Sequence, residues 1–118
     1  MIEGFNTPVI HIFVNDLETI DWNEIEKNKK MTVYRTVQEL LVNMKKHSAA
    51  TLVTITFKKT DQNVMITYTD NGIGIDLAAI KFQNGLYNIE NKILSIKGEI
   101  FIDSTPEKGF KVFINFPV

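Results

Sequence analysis

Between residues 33 and 68 the apolar side chains change their period, and this change limits what the chain can fold into. Val33, Val37, Leu40, Leu41 and Met44 recur at spacings of three and four, the repeat of a helix with one apolar face. From residue 52 the repeat is two: Val53, Ile55 and Phe57 alternate with Thr54 and Thr56, and Val64, Ile66 and Tyr68 resume the alternation after a turn at residues 58–63. A one-faced helix followed by a strand pair points to a layer of helices on a sheet.

The flanks extend the pattern. Residues 8–14 are rich in β-branched and aromatic side chains and read as a strand that Asn15-Asp16 ends. Residues 15–30 are polar, with Ile20, Trp22 and Ile25 isolated, and are expected to be a connection with one helical turn; Thr32 is the expected cap of the long helix. Residues 76–82 form a short helix-prone segment. Gly85 opens a second helix with Leu86, Ile89, Ile93 and Ile96 on one side and Gly98 at its end, and residues 99–103 and 110–116 are strands around the turn at 105–109. The order β, α, β, β, short α, α, β, β describes an α/β two-layer sandwich. Its sheet would be mixed and mainly antiparallel with helices on one face, and residues 1–118 are expected to form one domain.

The 118 residues suffice for one core without disulfides, which the lack of Cys excludes. With 13 Lys and Arg against 14 Asp and Glu, a net charge of -1 provides no generic attraction to nucleic acid or to an anionic membrane, and Lys27 to Lys30 reads as a solvated turn. No apolar run approaches the roughly 18 residues of a membrane span, and Met1 is followed by Ile2-Glu3-Gly4 rather than by a signal region. A cytoplasmic domain is expected, with room for a membrane anchor elsewhere in a longer protein.

The polar face of the first long helix holds Glu39, Asn43, Lys46 and His47, a set that could meet a metal ion and anionic oxygens together. The competing reading is a solvated face with Arg35 supporting Glu39 one turn on. Asp70-Asn71-Gly72 could close a hairpin, but Ile73-Gly74-Ile75 and a helix-prone run follow instead of a strand, which suits backbone passing close to a ligand. Gly85-Leu86 stands where a loop enters a helix, a favourable place for phosphate. His47 also fits a helix-end histidine bonded to the last carbonyls; Trp22 and Tyr34 read as packing residues and His11 as structural.

Taken in order, Glu39-Leu40-Leu41-Val42-Asn43-Met44-Lys45-Lys46-His47-Ser48, Asp70-Asn71-Gly72-Ile73-Gly74, Asn84-Gly85-Leu86 and Lys97-Gly98 with Gly109 resemble the N, G1 and G2 boxes of the superfamily of gyrase, heat-shock chaperone, MutL and sensor histidine kinase ATPases. Glu-x-x-x-Asn-x-x-Lys-His is similar to the histidine-kinase version, and the short lid after Asp76 resembles the LuxR/NarL-type kinases. The resemblance implies a Bergerat-type fold binding ATP and Mg²⁺. On the matching residues it implies that Asn43 holds Mg²⁺, Asp70 accepts from the adenine amino group, and Gly72, Gly74 and Ile75 lie against base and ribose. Lys46 and His47 would offset phosphate charge, Gly85 and Leu86 would cradle the phosphates, and Glu39 would orient or deprotonate the attacking group, with Lys46 beside it in catalysis. The implied partners are a histidine-bearing dimerisation domain of the same protein and a response regulator. The implied reaction is transfer of the γ-phosphate; the alternatives are a serine kinase of the anti-sigma-factor type, which would share the Mg²⁺ and adenine residues but is disfavoured by the Lys46-His47 pair, and a nucleotide-gated interaction module that binds ATP without transfer. Two departures stand out: Lys97-Gly98 replaces the usual Gly-Gly, and Gly109-Phe110 replaces Gly-Thr, whose hydroxyl often joins the adenine site through water.

Overall fold

The computed structural model describes residues 11–15, 20–45, 51–60, 62–72, 84–104 and 109–118. Strands β1 (His11–Asn15), β2 (Leu52–Lys59), β3 (Asn63–Asp70), β4 (Glu99–Ser104) and β5 (Phe110–Pro117) form one sheet in the order β1-β2-β3-β5-β4. The β1–β2 pair is parallel and the other pairs are antiparallel. Helices α1 (Lys27–Asn43) and α2 (Asn84–Ser95) supply the other layer. This is the expected mixed, mainly antiparallel α/β sandwich.

The sheet has one apolar face because its strands are in register for it. Ile12, Val53, Asp70 and Phe110 make one cross-strand row, Val14, Ile55, Tyr68, Val112 and Ile102 the next, and Phe57, Ile66, Ile114 and Ile100 a third. A slip of one residue would turn each row to the other face. Val33, Val37, Leu40, Leu41 and Met44 of the first helical segment and Ile89, Ile93 and Ile96 at the second join these rows in one buried cluster. The opposite face carries Thr54 against Thr69 and Thr56 against Thr67, with Phe13, Met65, Phe101 and Phe113 exposed.

Helix α1 begins more than a turn before Thr32, at Lys27, which corrects the expected cap and makes the basic stretch the first turn of a helix. Glu26 stands at the cap position with no side-chain bond, so neither a capping signature nor an apolar repeat marks the start. The Thr32 hydroxyl instead donates back to the Asn28 carbonyl at 3.0 Å, as Thr inside a helix can. Lys29 donates to the Pro117 carbonyl at 2.7 Å and fastens the helix start to the end of β5. Before it, Trp22–Glu24 is the single 3-10 turn expected in this connection, capped by Asp21, and Trp22 packs edge-on against Phe57 with centroids 5.8 Å apart.

The end of α2 also differs from expectation. Lys97, not Gly98, takes the left-handed conformation, with φ at 62°. Its amide donates to the Leu94 carbonyl at 3.0 Å and that of Gly98 to Ile93 at 2.9 Å, the paired bonds of a Schellman ending. Gly98 is required for space: a Cβ there would lie 2.8 Å from Ile93 Cγ2 and 2.9 Å from the Asn115 carbonyl oxygen.

Candidate functional site

The strand register fixes the surroundings of Asp70. Asn43 closes α1, and the chain then enters β2 at Leu52, next to Val53, whose neighbour in β3 is Asp70. Phe110, the first residue of β5, is the other neighbour of Asp70. The Schellman turn holds the C-terminal end of α2 at the start of β4, beside Asn115 and far from Asp70, so the 12-residue helix directs its Asn84-Gly85 start toward the Asp70 end over about 18 Å.

Asp70 is an acidic side chain in a row of apolar ones and is only 7% exposed. Burial raises its pKa, while hydrogen bonds from the Gly72 amide, the Tyr68 hydroxyl and the Phe110 amide act in the opposite direction. The Gly72 amide donates to Oδ1 at 2.9 Å and Tyr68 donates to Oδ2 at 2.8 Å. The phenol of Tyr68 is raised well above the tyrosine range, first by burial and then by the Asp70 charge, so it stays a donor. Gly109 closes the other side: its φ is +90°, and a Cβ would fall 2.5 Å from the Asp70 carbonyl oxygen. Only glycine lets the loop pass there.

Asn71 resolves the choice between a hairpin and a ligand loop at its own position. Its Oδ1 accepts from the amides of Thr51 and Leu52 at 3.0 and 2.9 Å, and its Nδ2 donates to the Thr51 hydroxyl at 3.1 Å. The side chain thus stitches the end of β3 to the start of β2, and it does not head a turn between two paired strands. Gly72 is buried beside it.

On α1, Glu39 and Asn43 are half-buried on the face away from the core stripe, one turn apart. Glu39 Oε1 lies 4.0 Å from Lys92 Nζ on α2, so the ion pair found joins the two helices. The alternative of support from Arg35 is not what the structure presents. Glu39, Lys92, Tyr34, Arg35, Gln38 and Met31 line an open groove of about 540 Å³ between the helices. Tyr34 is exposed in that groove, which corrects its reading as a packing residue; Trp22 is one. His11 is also exposed, on the edge strand.

Lys46, His47, Gly74, Ile75 and the expected lid segment 76–83 lie outside the described residues, and Gly85 and Leu86 are described by their backbone alone. Tyr68 was not among the expected site residues. The available signal was a phenol standing two residues before Asp70 in an alternating strand, and therefore on the same face.

A profile of the histidine kinase-, DNA gyrase B-, and HSP90-like ATPase family matches residues 28–118, from the first turn of α1 to the end of β5. The chain belongs to this ATPase family. Relatives within it include the sensor histidine kinase ComP of Bacillus subtilis, 30% identical over 93 residues, which cover 76% of this chain and 12% of ComP. Sensor histidine kinase LnrJ of the same organism is 34% identical over 85 residues, covering 72% of this chain and 21% of LnrJ. The chain therefore spans a small part of these relatives. In fold, it is similar to the histidine kinase domain of the Erythrobacter litoralis EL346 blue-light activated kinase, with a TM-score of 0.80 at 18% identity over 98% of this chain and 54% of the other. Among the described residues no helix is long and apolar enough to cross a membrane, and no three His, Cys, Asp or Glu side chains gather as a metal site.

Proposed function

We propose that this ATPase-family domain is the ATP-binding catalytic part of a two-component sensor histidine kinase of the LuxR/NarL type. The observation that carries the proposal is the Asp70 carboxylate: buried at the end of β3 and held by donors of this chain. A carboxylate there accepts from the amino group of adenine and discriminates against a base that presents a carbonyl at the same place. Gly72, Gly74 and Ile75 follow it in the chain to lie along base and ribose.

Asn43 fits Mg²⁺ by the chemistry of its donor: one neutral oxygen suffices for an ion that keeps waters and takes its other ligands from phosphates, and no carboxylate cage is needed. When bound, Mg²⁺ would neutralise phosphate charge. Lys46 and His47, three and four residues after Asn43 in the sequence, add cationic or donor groups for the phosphates, and Gly85 and Leu86 offer backbone amides at the start of α2. Glu39 is assigned to orient or deprotonate the attacking imidazole, with Lys46 beside it in catalysis. As the imidazole nitrogen bonds to the γ-phosphorus, the bridging bond breaks, ADP leaves, and the ring proton passes to a base; positioning and charge neutralisation supply most of the rate.

The acceptor is assigned to a helical dimerisation domain of the same protein, with a response regulator as the next recipient. His11 lies on an edge strand rather than on a long helix, so it is a poor acceptor. The test is a radiolabel assay. The chain should bind Mg-ATP and incorporate no acid-labile phosphate alone, and should label the histidine of the dimerisation domain when that domain is added in trans. Label on serine of an added partner would favour the anti-sigma-factor type, and binding with no transfer would leave a nucleotide-gated module.

A further inference from the structure

Tyr68 departs from the row in which it stands. Its cross-strand neighbours are Ile55 and Val112, both buried aliphatic residues, and the ring itself is 1% exposed. A phenol buried this far needs a partner for its hydroxyl, and it has one in Asp70 Oδ2 at 2.8 Å. Residues two apart on a strand share a face, so β3 carries donor and acceptor side by side with no help from a loop. Phe110 meets the Tyr68 ring edge-on, with centroids 6.1 Å apart, and limits its movement.

The arrangement fixes the direction of the carboxylate. A carboxylate offers about four acceptor positions. The Gly72 amide occupies one on Oδ1, Tyr68 one on Oδ2, and the Phe110 amide adds a third hydrogen bond. Rotation of the group would break bonds on both oxygens at once, and the bonds from the described residues leave about one acceptor position.

We propose that Tyr68 is a positioning residue for base recognition: its hydroxyl pins Asp70 so that the remaining acceptor position points at the exocyclic amino group of a 6-aminopurine nucleotide. This rests on the reading of Asp70 given above. Phe110, standing where the resembling sequences carry threonine, brings no hydroxyl to the site, and Tyr68 brings one from the neighbouring strand.

The experiment compares two nucleotides that differ only in the group concerned, ATP and purine riboside triphosphate, which lacks the amino group. Both are titrated calorimetrically into the parent chain, Tyr68→Phe and Asp70→Asn. Tyr68→Phe keeps the ring and its contact with Phe110. It should bind ATP roughly tenfold more weakly and the purine analogue within about twofold of the parent, so that the preference for ATP falls roughly tenfold. Because an unfolded fraction scales both affinities alike, their ratio reads the proposal even if the variant is less stable. Equal losses for the two nucleotides, or an unchanged ratio, would overturn the role of Tyr68. Asp70→Asn separates this from the underlying reading: if that variant binds ATP like the parent, the adenine assignment itself falls, whereas loss there with an unchanged ratio in Tyr68→Phe removes the Tyr68 proposal alone.

Discussion

Replacing Asp70 by Asn keeps the shape of the side chain and changes its acceptor count from about four to two. In the folded protein the new amide can still accept from the Gly72 amide and turn its NH₂ toward the Tyr68 oxygen, which as a hydroxyl can accept in turn. The Phe110 amide loses part of its partner. Against that loss stands relief of a buried charge whose pKa burial already raises, so stability should stay within about 1 kcal/mol of the parent, or a melting shift under about 8 °C. Binding has no such compensation. A hydrogen bond to a charged acceptor is worth about 1.5–3 kcal/mol, and a buried donor facing a donor costs about 1–3 more, which together amount to about 2.5–6 kcal/mol and roughly two to four powers of ten in affinity. Calorimetry with Mg-ATP, on protein whose circular dichroism melt matches the parent, measures both sides. Affinity within a few-fold of the parent in a folded Asp70→Asn chain would rule out Asp70 as the acceptor for the adenine amino group.

Asn43→Ala should weaken ADP binding mainly when Mg²⁺ is present, so that affinities measured with and without the ion converge; an equal loss in both would point to damage at the end of α1 instead. Lys97→Gly should stabilise the chain by about 0.5–1 kcal/mol in denaturant unfolding, because φ at 62° strains a residue with a Cβ and suits glycine. Acidification should act on Asp70 with opposite signs for folding and binding. Its folded pKa is raised, so in the window between the ordinary aspartate value of about 3.9 and the raised value the native state holds a proton that the unfolded chain has released. The Asp70 contribution to stability therefore grows as pH falls through that window, while nucleotide affinity declines. Melts of the parent minus those of Asp70→Asn, taken across pH, isolate the first effect, and a difference that does not change with pH would contradict it.

Alternation made β2 and β3 legible because the register needs those side chains on one face, and the structure buries Val53, Ile55, Phe57, Val64, Ile66 and Tyr68 accordingly. The start of α1 was illegible for the converse reason. Its first turn is all polar, and its fastening by Lys29 to the Pro117 carbonyl is a long-range bond that no local pattern announces. Asn43 and Asp70 could be picked out by spacing, since a helix period and a strand ending each fix where a side chain goes. The Glu39–Lys92 pair could not, because it depends on how two helices lie side by side. Tyr68 carries no such mark, because an aromatic ring in an apolar row reads as packing until the partner of its hydroxyl is known.

Because β3 pairs with β5, the surroundings of Asp70 are completed by residues that the ribosome delivers late. The β2–β3 hairpin can zip from a short turn, but bringing Gly109 and Phe110 against Asp70 requires closure of a loop that contains the whole of α2 and β4, a slow and entropically costly step. A nascent chain that has made only the hairpin carries the aspartate without the amide and the glycine passage that shape its surroundings. Nucleotide can then reward only the completed sheet, so ligand added during refolding should act on the closed state and slow its opening rather than template its first contacts.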